Sequence, residues 1–346
     1  MSAPLIALLD GLPDPVLLVD FRRTVTSANR LARELFIGPM VGNNLAVALR
    51  HPAALAAVDA VLDGADVRET EISLPAPGSP SYRLTAAAVR AADERVGAVV
   101  TLRDLTSIRR AEQMRADFIA NASHELRSPL ASLLGFIETL KGTARDDAEA
   151  RGRFLDIMHT EASRMARLID DLLSLSRVEL EEHVPPREAV DLGAVVRGTF
   201  ELLAMRAAEK NVTFRLEGAE TAPKVLGDPD QLAQVFRNLI ENAVRYGRAD
   251  SVVTVTLQAV VRIPERSGPG VAATVADQGE GIPPDALPRL TERFYRVDKA
   301  RSQALGGTGL GLAIVKHIVG RHRGRLAIDS RPGQGSRFTV FLPIAP

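Results

Sequence analysis

Two stretches of this 346-residue chain carry apolar residues at alternating steps of three and four. In the first, Ile119, Ala122, Leu126, Pro129, Leu133, Phe136 and Leu140 recur in this way; in the second, Leu155, Met158, Ala162, Met165, Ile169 and Leu172 do. Such spacing lays one stripe along each of two helices, the seam of a coiled coil or helix bundle. It predicts two long helices between about 107 and 182, joined around 141–152. Two helices with one stripe each cannot close a dry core. Pairing with a second copy into a four-helix bundle is the simplest burial, and packing against the chain's own C-terminal part is the alternative.

The flanking regions differ in texture. Up to about residue 106, short strand-like runs at 16–19, 82–89 and 96–102 alternate with turn signals, including Pro13, Pro15, Pro75, Pro77 and Pro80. After the helices, the run His-Val-Pro-Pro at 183–186 ends helical character, because proline supplies no donor and disfavours helix just before it. The remainder alternates helical and β-rich stretches, as an α/β layer domain does. Forty-three basic and 43 acidic residues balance, which argues against a generally basic nucleic-acid binder. The absence of cysteine excludes disulfides, thiolate-held metal and thiol nucleophiles. The longest uncharged run, 35–49, is too short and too broken to span a bilayer, and the N-terminus lacks a signal-peptide pattern. These features predict a cytoplasmic chain with no transmembrane segment, although association with a membrane partner stays open.

Four constellations carry chemistry. His124 falls on the outward side of the first seam helix, which argues against a core role and, on position alone, favours a plain surface histidine. Glu125 beside it can accept an imidazole N–H and so make the other nitrogen a nucleophile. Pro129 removes a backbone hydrogen bond and loosens the turn that begins near Glu125. The second constellation is Asn238-Leu-Ile-Glu-Asn242-Ala-Val-Arg245-Tyr246, opened by the cap pair Asp228-Pro229. Two amides four apart share a helix face and can hold a hard cation that already carries phosphate oxygens. The third, Asp277-Gln-Gly279-Glu-Gly281-Ile282, follows the apolar strand 271–276 and offers a carboxylate to an amine proton beside an approachable backbone. The fourth, Gly306-Gly307-Thr308-Gly309-Leu310-Gly311, precedes a helix whose N-terminus can receive phosphate. No Walker loop and no D-F-G or catalytic-loop signature of protein kinases occurs.

In this order the motifs resemble those of sensor histidine kinases. His124-Glu-Leu-Arg-Ser-Pro129 is similar to the family's H-box, 238–246 to its N-box, 277–281 to its first glycine box, Phe294-Tyr-Arg296 to its F-box and 307–311 to its second glycine box. The N-terminal region resembles a PAS sensor domain through Asp14-Pro-Val-Leu-Leu-Val-Asp20, Asn29 and the exit Asp104-Leu-Thr106. His51, its only histidine, does not call for haem. In general texture the chain is similar to the phosphate-regulon sensor kinases.

The resemblance implies a multidomain fold. An α/β PAS-like sensor (1–106) would be followed by a helical-hairpin dimerisation and phosphotransfer bundle (107–182). An α/β sandwich ATP-binding domain of the gyrase, Hsp90 and histidine-kinase type (183–346) would complete it. His124 would be phosphorylated from ATP with Glu125 as activating partner, and the phosphoryl group passed to an aspartate of a separate response regulator. Ser128, where many relatives carry threonine or asparagine, would serve dephosphorylation of that partner. Asn242, helped by Asn238, would coordinate Mg2+, with Arg245 near phosphate and Tyr246 against the nucleotide. Asp277 would accept the adenine amine, Gly279, Gly281 and Ile282 would make room for the base, and Gly307, Thr308, Gly309, Leu310 and Gly311 would line the phosphates. The stretch 297–305 would form a mobile lid. A homodimer is implied, direct nucleic-acid binding is not, and a catalytically silent signalling scaffold is the alternative.

Overall fold

The structure is a computed structural model and describes residues 3–345 except 37, 76–78, 92, 93, 182, 183, 267 and 299–306. Pro77, His183, Gly306 and most of the expected lid therefore lie outside the described residues. The chain divides into two compact units at residues 120/121, within one helix.

The first unit is built on an antiparallel five-stranded sheet. In chain order it holds α1 (Ala3–Asp10), β1 (Val16–Val19), β2 (Val25–Ala28), α2 (Arg30–Leu35), α3 (Leu45–Ala48), α4 (Pro52–Leu62), β3 (Val67–Ser73), β4 (Ser81–Ala91) and β5 (Glu94–Asp104). The strands lie in the order β2-β1-β5-β4-β3. Alternate residues Leu84 and Ala86 of β4 and Ala98, Val100 and Leu102 of β5 are fully buried, the period-two pattern of a sheet with one covered face. Val58 and Val61 of α4 share that core. Asn29, singled out in the sequence, is buried with its amide fully used. Its Oδ1 accepts from the N–H groups of Val16 and Ala32, and its Nδ2 donates to the carbonyls of Leu9 and Asp14.

The second unit begins within α5 (Thr106–Lys141), which forms a hairpin with α6 (Ala148–Leu180), and the connection, 142–147, is shorter than the sequence implied. The helix α5 runs through Pro129. Then follow β6 (Glu188–Val190), α7 (Leu192–Ala208), β7 (Thr213–Glu217), β8 (Val225–Gly227), α8 (Pro229–Tyr246), β9 (Val252–Val260), β10 (Gly270–Asp277), α9 (Gly311–Arg321), β11 (Arg325–Ser330) and β12 (Ser336–Pro343). The main sheet has the order β11-β12-β10-β9-β7, antiparallel except for the parallel pair β7–β9. Leu232, Val235, Phe236, Leu239, Ile240, Ala243 and Val244 form the buried stripe of α8, which packs on β9 and β10. Asp228 caps α8 as expected, with Oδ1 accepting from the N–H groups of Asp230 and Gln231.

The seam of the hairpin departs from its sequence reading. Arg164, Leu168, Leu175 and Val178 are the buried long side chains of α6, whereas the expected seam residues Leu155 and Ile169 are exposed. Phe154, not Leu155, faces α5, with its ring 5.2 Å from that of Phe136. The reason is that α6 serves two neighbours, packing on α9 and meeting α5 through Phe154 and Arg164. On α5 a second apolar stripe, Leu130, Leu134 and Ile137, is exposed in the single chain.

Candidate nucleotide and phosphotransfer site

A cavity of about 860 Å³ in the second unit is bounded by α8, the end of β10, the loop before α9, and α6. It gathers Asn238, Asn242, Arg245, Tyr246, Asp277, Gly281, Ile282, Gly307, Thr308, Gly309 and Gly311 from three separate stretches. Gly279 and Leu310 stand just behind this lining, and His124, Glu125 and Ser128 lie on α5 outside it.

Register places the carboxylate. Asp277 ends β10 opposite Ser336 of β12, and its Oδ1 accepts from the N–H groups of Gly279 (2.8 Å) and Ser336 (3.3 Å). Its Oδ2 has no protein partner among the described residues. Burial pushes the carboxyl up, and the two backbone donors draw it back part of the way. The following glycines stand against neighbouring backbone. A Cβ on Gly279 would sit 2.5 Å from the Tyr246 carbonyl oxygen, and one on Gly281, at φ +72°, would sit 2.0 Å from that of Arg331. Both positions therefore admit closely approaching backbone that a side chain would displace. The Ser330 hydroxyl, which the sequence did not point to, accepts from the Ile282 N–H at 2.8 Å and donates to the Gly335 carbonyl, pinning this turn.

The two asparagines of α8 separate in role. Asn238 donates from Nδ2 to the Gly311 carbonyl at 3.2 Å, tying α8 to the first residue of α9. The Asn242 side chain lines the cavity with no hydrogen-bond partner among the described residues. Its neutral oxygen fits a cation brought in on phosphate, since no cluster of three or more His, Asp or Glu side chains among the described residues could cage a metal. Arg245 bonds Glu241 at 2.8 Å, and Arg206 of α7 pairs with the same carboxylate. Lys210 was missed from sequence. Its ammonium donates to the carbonyls of Val244 and Arg245, closing the C-terminus of α8.

His124 and Ser128 are exposed on α5. Glu125 is engaged elsewhere than with the imidazole. Its Oε2 accepts from Arg164 of α6 and from Arg296, each at 2.9 Å. Arg296, only 6 % exposed at its side chain, also donates to the Thr308 carbonyl, while its buried Nε–H has no partner among the described residues. The Thr308 hydroxyl in turn donates to Asp171 of α6 at 2.7 Å and accepts from the Leu310 N–H. A continuous chain of hydrogen bonds thus joins Arg164, Glu125, Arg296, Thr308 and Asp171. Further along, Arg293 pairs with Glu179, and Ser174 bonds Gln234 at 2.9 Å. The hairpin and the nucleotide-type cavity are held together by these contacts.

An exposed histidine on a two-helix hairpin and a sheet-backed cavity with this Asn, Asp and glycine-loop lining define a class. Residues 114–181 match the family described as His Kinase A (phospho-acceptor) domain. Residues 227–346 match the family described as Histidine kinase-, DNA gyrase B-, and HSP90-like ATPase, an ATP-binding domain. The chain belongs to the sensor histidine kinases. It is 38 % identical over 254 residues to the sensor-like histidine kinase SenX3 of Mycolicibacterium smegmatis, covering 73 % of this chain and 64 % of that one. It is 40 % identical over 246 residues to the phosphate regulon sensor protein PhoR of Pseudomonas aeruginosa, covering 71 % and 54 %. The chain thus spans less than two thirds of the length of these relatives. In fold it is similar to histidine kinase ThkA, solved in complex with response regulator protein TrrA, with a TM-score of 0.52, 19 % identity and 98 % of each chain covered.

Proposed function

We propose that this chain phosphorylates His124 from ATP and transfers the phosphoryl group to an aspartate of a separate response regulator. The observation that carries this reading is the cavity lined by Asn242, Asp277 and the 307–311 loop, held in one unit with a hairpin that exposes His124. The free Oδ2 of Asp277 would accept the adenine amine, Tyr246 would lie against the base, and the N-terminal end of α9 would receive phosphate. Asn242 would hold Mg2+, which when bound neutralises charge on the triphosphate. In the chemical step an imidazole nitrogen of His124 attacks the γ-phosphorus, the bond to the β-phosphate oxygen breaks, and ADP leaves.

The engagement of Glu125 by Arg164 and Arg296 supports a refinement. The arrangement described is one in which the acid beside His124 is withheld from the imidazole, so transfer requires the Arg296 contact to open. Ser128, one turn beyond His124, would orient water for dephosphorylation of the partner. The exposed apolar stripes of the hairpin support a homodimer. The ThkA–TrrA complex supports a response regulator as phosphoryl acceptor. We assign residues 1–106 to a PAS-like sensor, 107–182 to the dimerisation hairpin and 183–346 to the ATP-binding domain. No described helix is long and apolar enough to cross a membrane, which supports a cytoplasmic site of action.

Incubation with γ-labelled ATP and magnesium tests the reading. Acid-labile, base-stable label on the wild-type chain, lost in His124→Gln while ATP binding survives, is expected. Label that persists in the mutant would remove His124 from the role.

A further inference from the structure

Helix α6 belongs to the hairpin, yet it contributes Arg167 and Asp171 to the lining of the nucleotide-type cavity. The two residues are four apart and so share one helix face. Their surroundings are opposite in kind. Arg167 donates from Nε to the Ser163 carbonyl of its own helix at 3.3 Å and pairs with no carboxylate within ion-pair distance among the described residues. Arg206 and Arg245 on the facing side of the cavity already share Glu241. Burial, and then repulsion by Arg245 and Arg206, loosens the hold of Arg167 on its proton, with Glu241 and Asp171 opposing. Three guanidiniums, Arg167, Arg206 and Arg245, thus act on one another around the single Glu241 carboxylate, and an anion beside Arg167 would relieve the repulsion. Asp171 sits instead at the glycine loop. Its Oδ2 takes the Thr308 hydroxyl, a donor that a phosphate oxygen arriving at this loop would also seek. Burial pushes the Asp171 carboxyl up, and the Thr308 hydroxyl draws it back part of the way.

We propose that α6 is a wall of the nucleotide site, in which Arg167 binds the triphosphate and Asp171 competes with it for the glycine loop. This rests on the ATP reading above and deepens it. The hairpin that carries the phospho-acceptor also senses the donor: triphosphate gains Arg167, and in displacing Asp171 from Thr308 it loosens the hairpin from the loop.

The test is equilibrium titration of the full chain and two variants with ATP, ADP and adenosine. Arg167→Gln is expected to weaken ATP about tenfold, ADP less, and adenosine not at all, as removal of one charge-assisted phosphate contact would. Asp171→Asn is expected to tighten ATP by roughly threefold to tenfold, again without effect on adenosine. The opposite signs matter, because residues that only dock the hairpin would shift affinity in the same direction when either is changed. Changes of the same sign, unchanged ATP affinity, or a parallel change in adenosine overturns the inference. Adenosine binding also reports that each variant is folded. A wild-type chain that binds no ATP would instead bring down the kinase reading itself.

Discussion

At the residue scale, Asn242 and His322 show how much one side chain's chemistry depends on what surrounds it. Asn242 offers the cavity a neutral oxygen with no protein partner among the described residues, and a carboxylate there would add repulsion to phosphate. Asn242→Asp is expected to lower the rate of autophosphorylation by at least tenfold, read as initial label incorporation. A near-normal rate would remove the cation role. His322 is buried at the end of α9, with Nδ1 against the Ile318 carbonyl at 2.8 Å and Nε2 accepting from the Asp228 N–H at 3.0 Å. It is therefore neutral, with its proton on Nδ1. Burial holds its pKa below the usual imidazole value, and Arg321 adds to this while Asp228 opposes it. A depressed histidine contributes stability that is fully present above the unfolded pKa of about 6.5 and is lost as pH falls from there through the lower folded value. Urea midpoints measured between pH 8 and pH 5 should fall below pH 6.5 more in wild type than in His322→Gln. Parallel curves would show that the imidazole does not titrate with unfolding.

At the scale of elements, the hairpin is the informative piece. Leu134 of α5 and Leu173 of α6 are each 54 % exposed in the single chain, so charging them costs the isolated fold little. In a four-helix bundle both positions would be covered, and an unpaired buried charge costs several kcal/mol. The double variant Leu134→Glu, Leu173→Glu should therefore sediment as a monomer with unchanged helicity, where the wild type is expected to sediment as a dimer. A dimer that survives would move the interface to another surface. The heptad pattern made the helices legible but not their facing sides. A stripe read at steps of three and four names one face, and α6 buries Leu168 and Leu175 on one side while Ile169 stays open on the other. Which side meets α5 is decided by the competing demand of α9, and no local spacing encodes that demand.

At the scale of the whole second unit, Glu125 is the junction of the hairpin and the nucleotide region. Arg296, at 6 % side-chain exposure, has no other carboxylate partner among the described residues, whereas Arg164, at 9 %, also pairs with Glu161 at 3.7 Å. Removing one partner of a buried pair leaves charge uncompensated, at a cost of about 3 kcal/mol or more. Glu125→Ala should lower the stability of the full chain by about that amount in urea unfolding, and should raise hydrogen exchange in the 307–311 loop, which Arg296 reaches through Thr308. A variant as stable as wild type, with exchange unchanged, would show that the clasp carries no weight.

The sequence by itself determined the order of parts and the identity of most chemical groups. The seam repeats announced the hairpin. Asp228-Pro229 marked the start of α8, the spacing of Asn238 and Asn242 put them on one face, and the apolar run before Asp277 placed that acid at a strand end. These are local effects of helix and strand periodicity, capping and glycine content, and each acts within a few residues. Only the tertiary structure decided what Glu125, Asn238, Gly279 and Gly281 touch. It brought Arg296 to Glu125, Gly311 to Asn238, and the backbone of Tyr246 and Arg331 against the two glycines. It also added Arg167, Asp171 and Ser330 to the site, although none of them stands in a motif. The physical reason is that hydrogen bonds and close packing act between groups brought near in space, over separations such as the 171 residues from Glu125 to Arg296. A pattern read along the chain records which groups are available, and packing of the layers selects their partners.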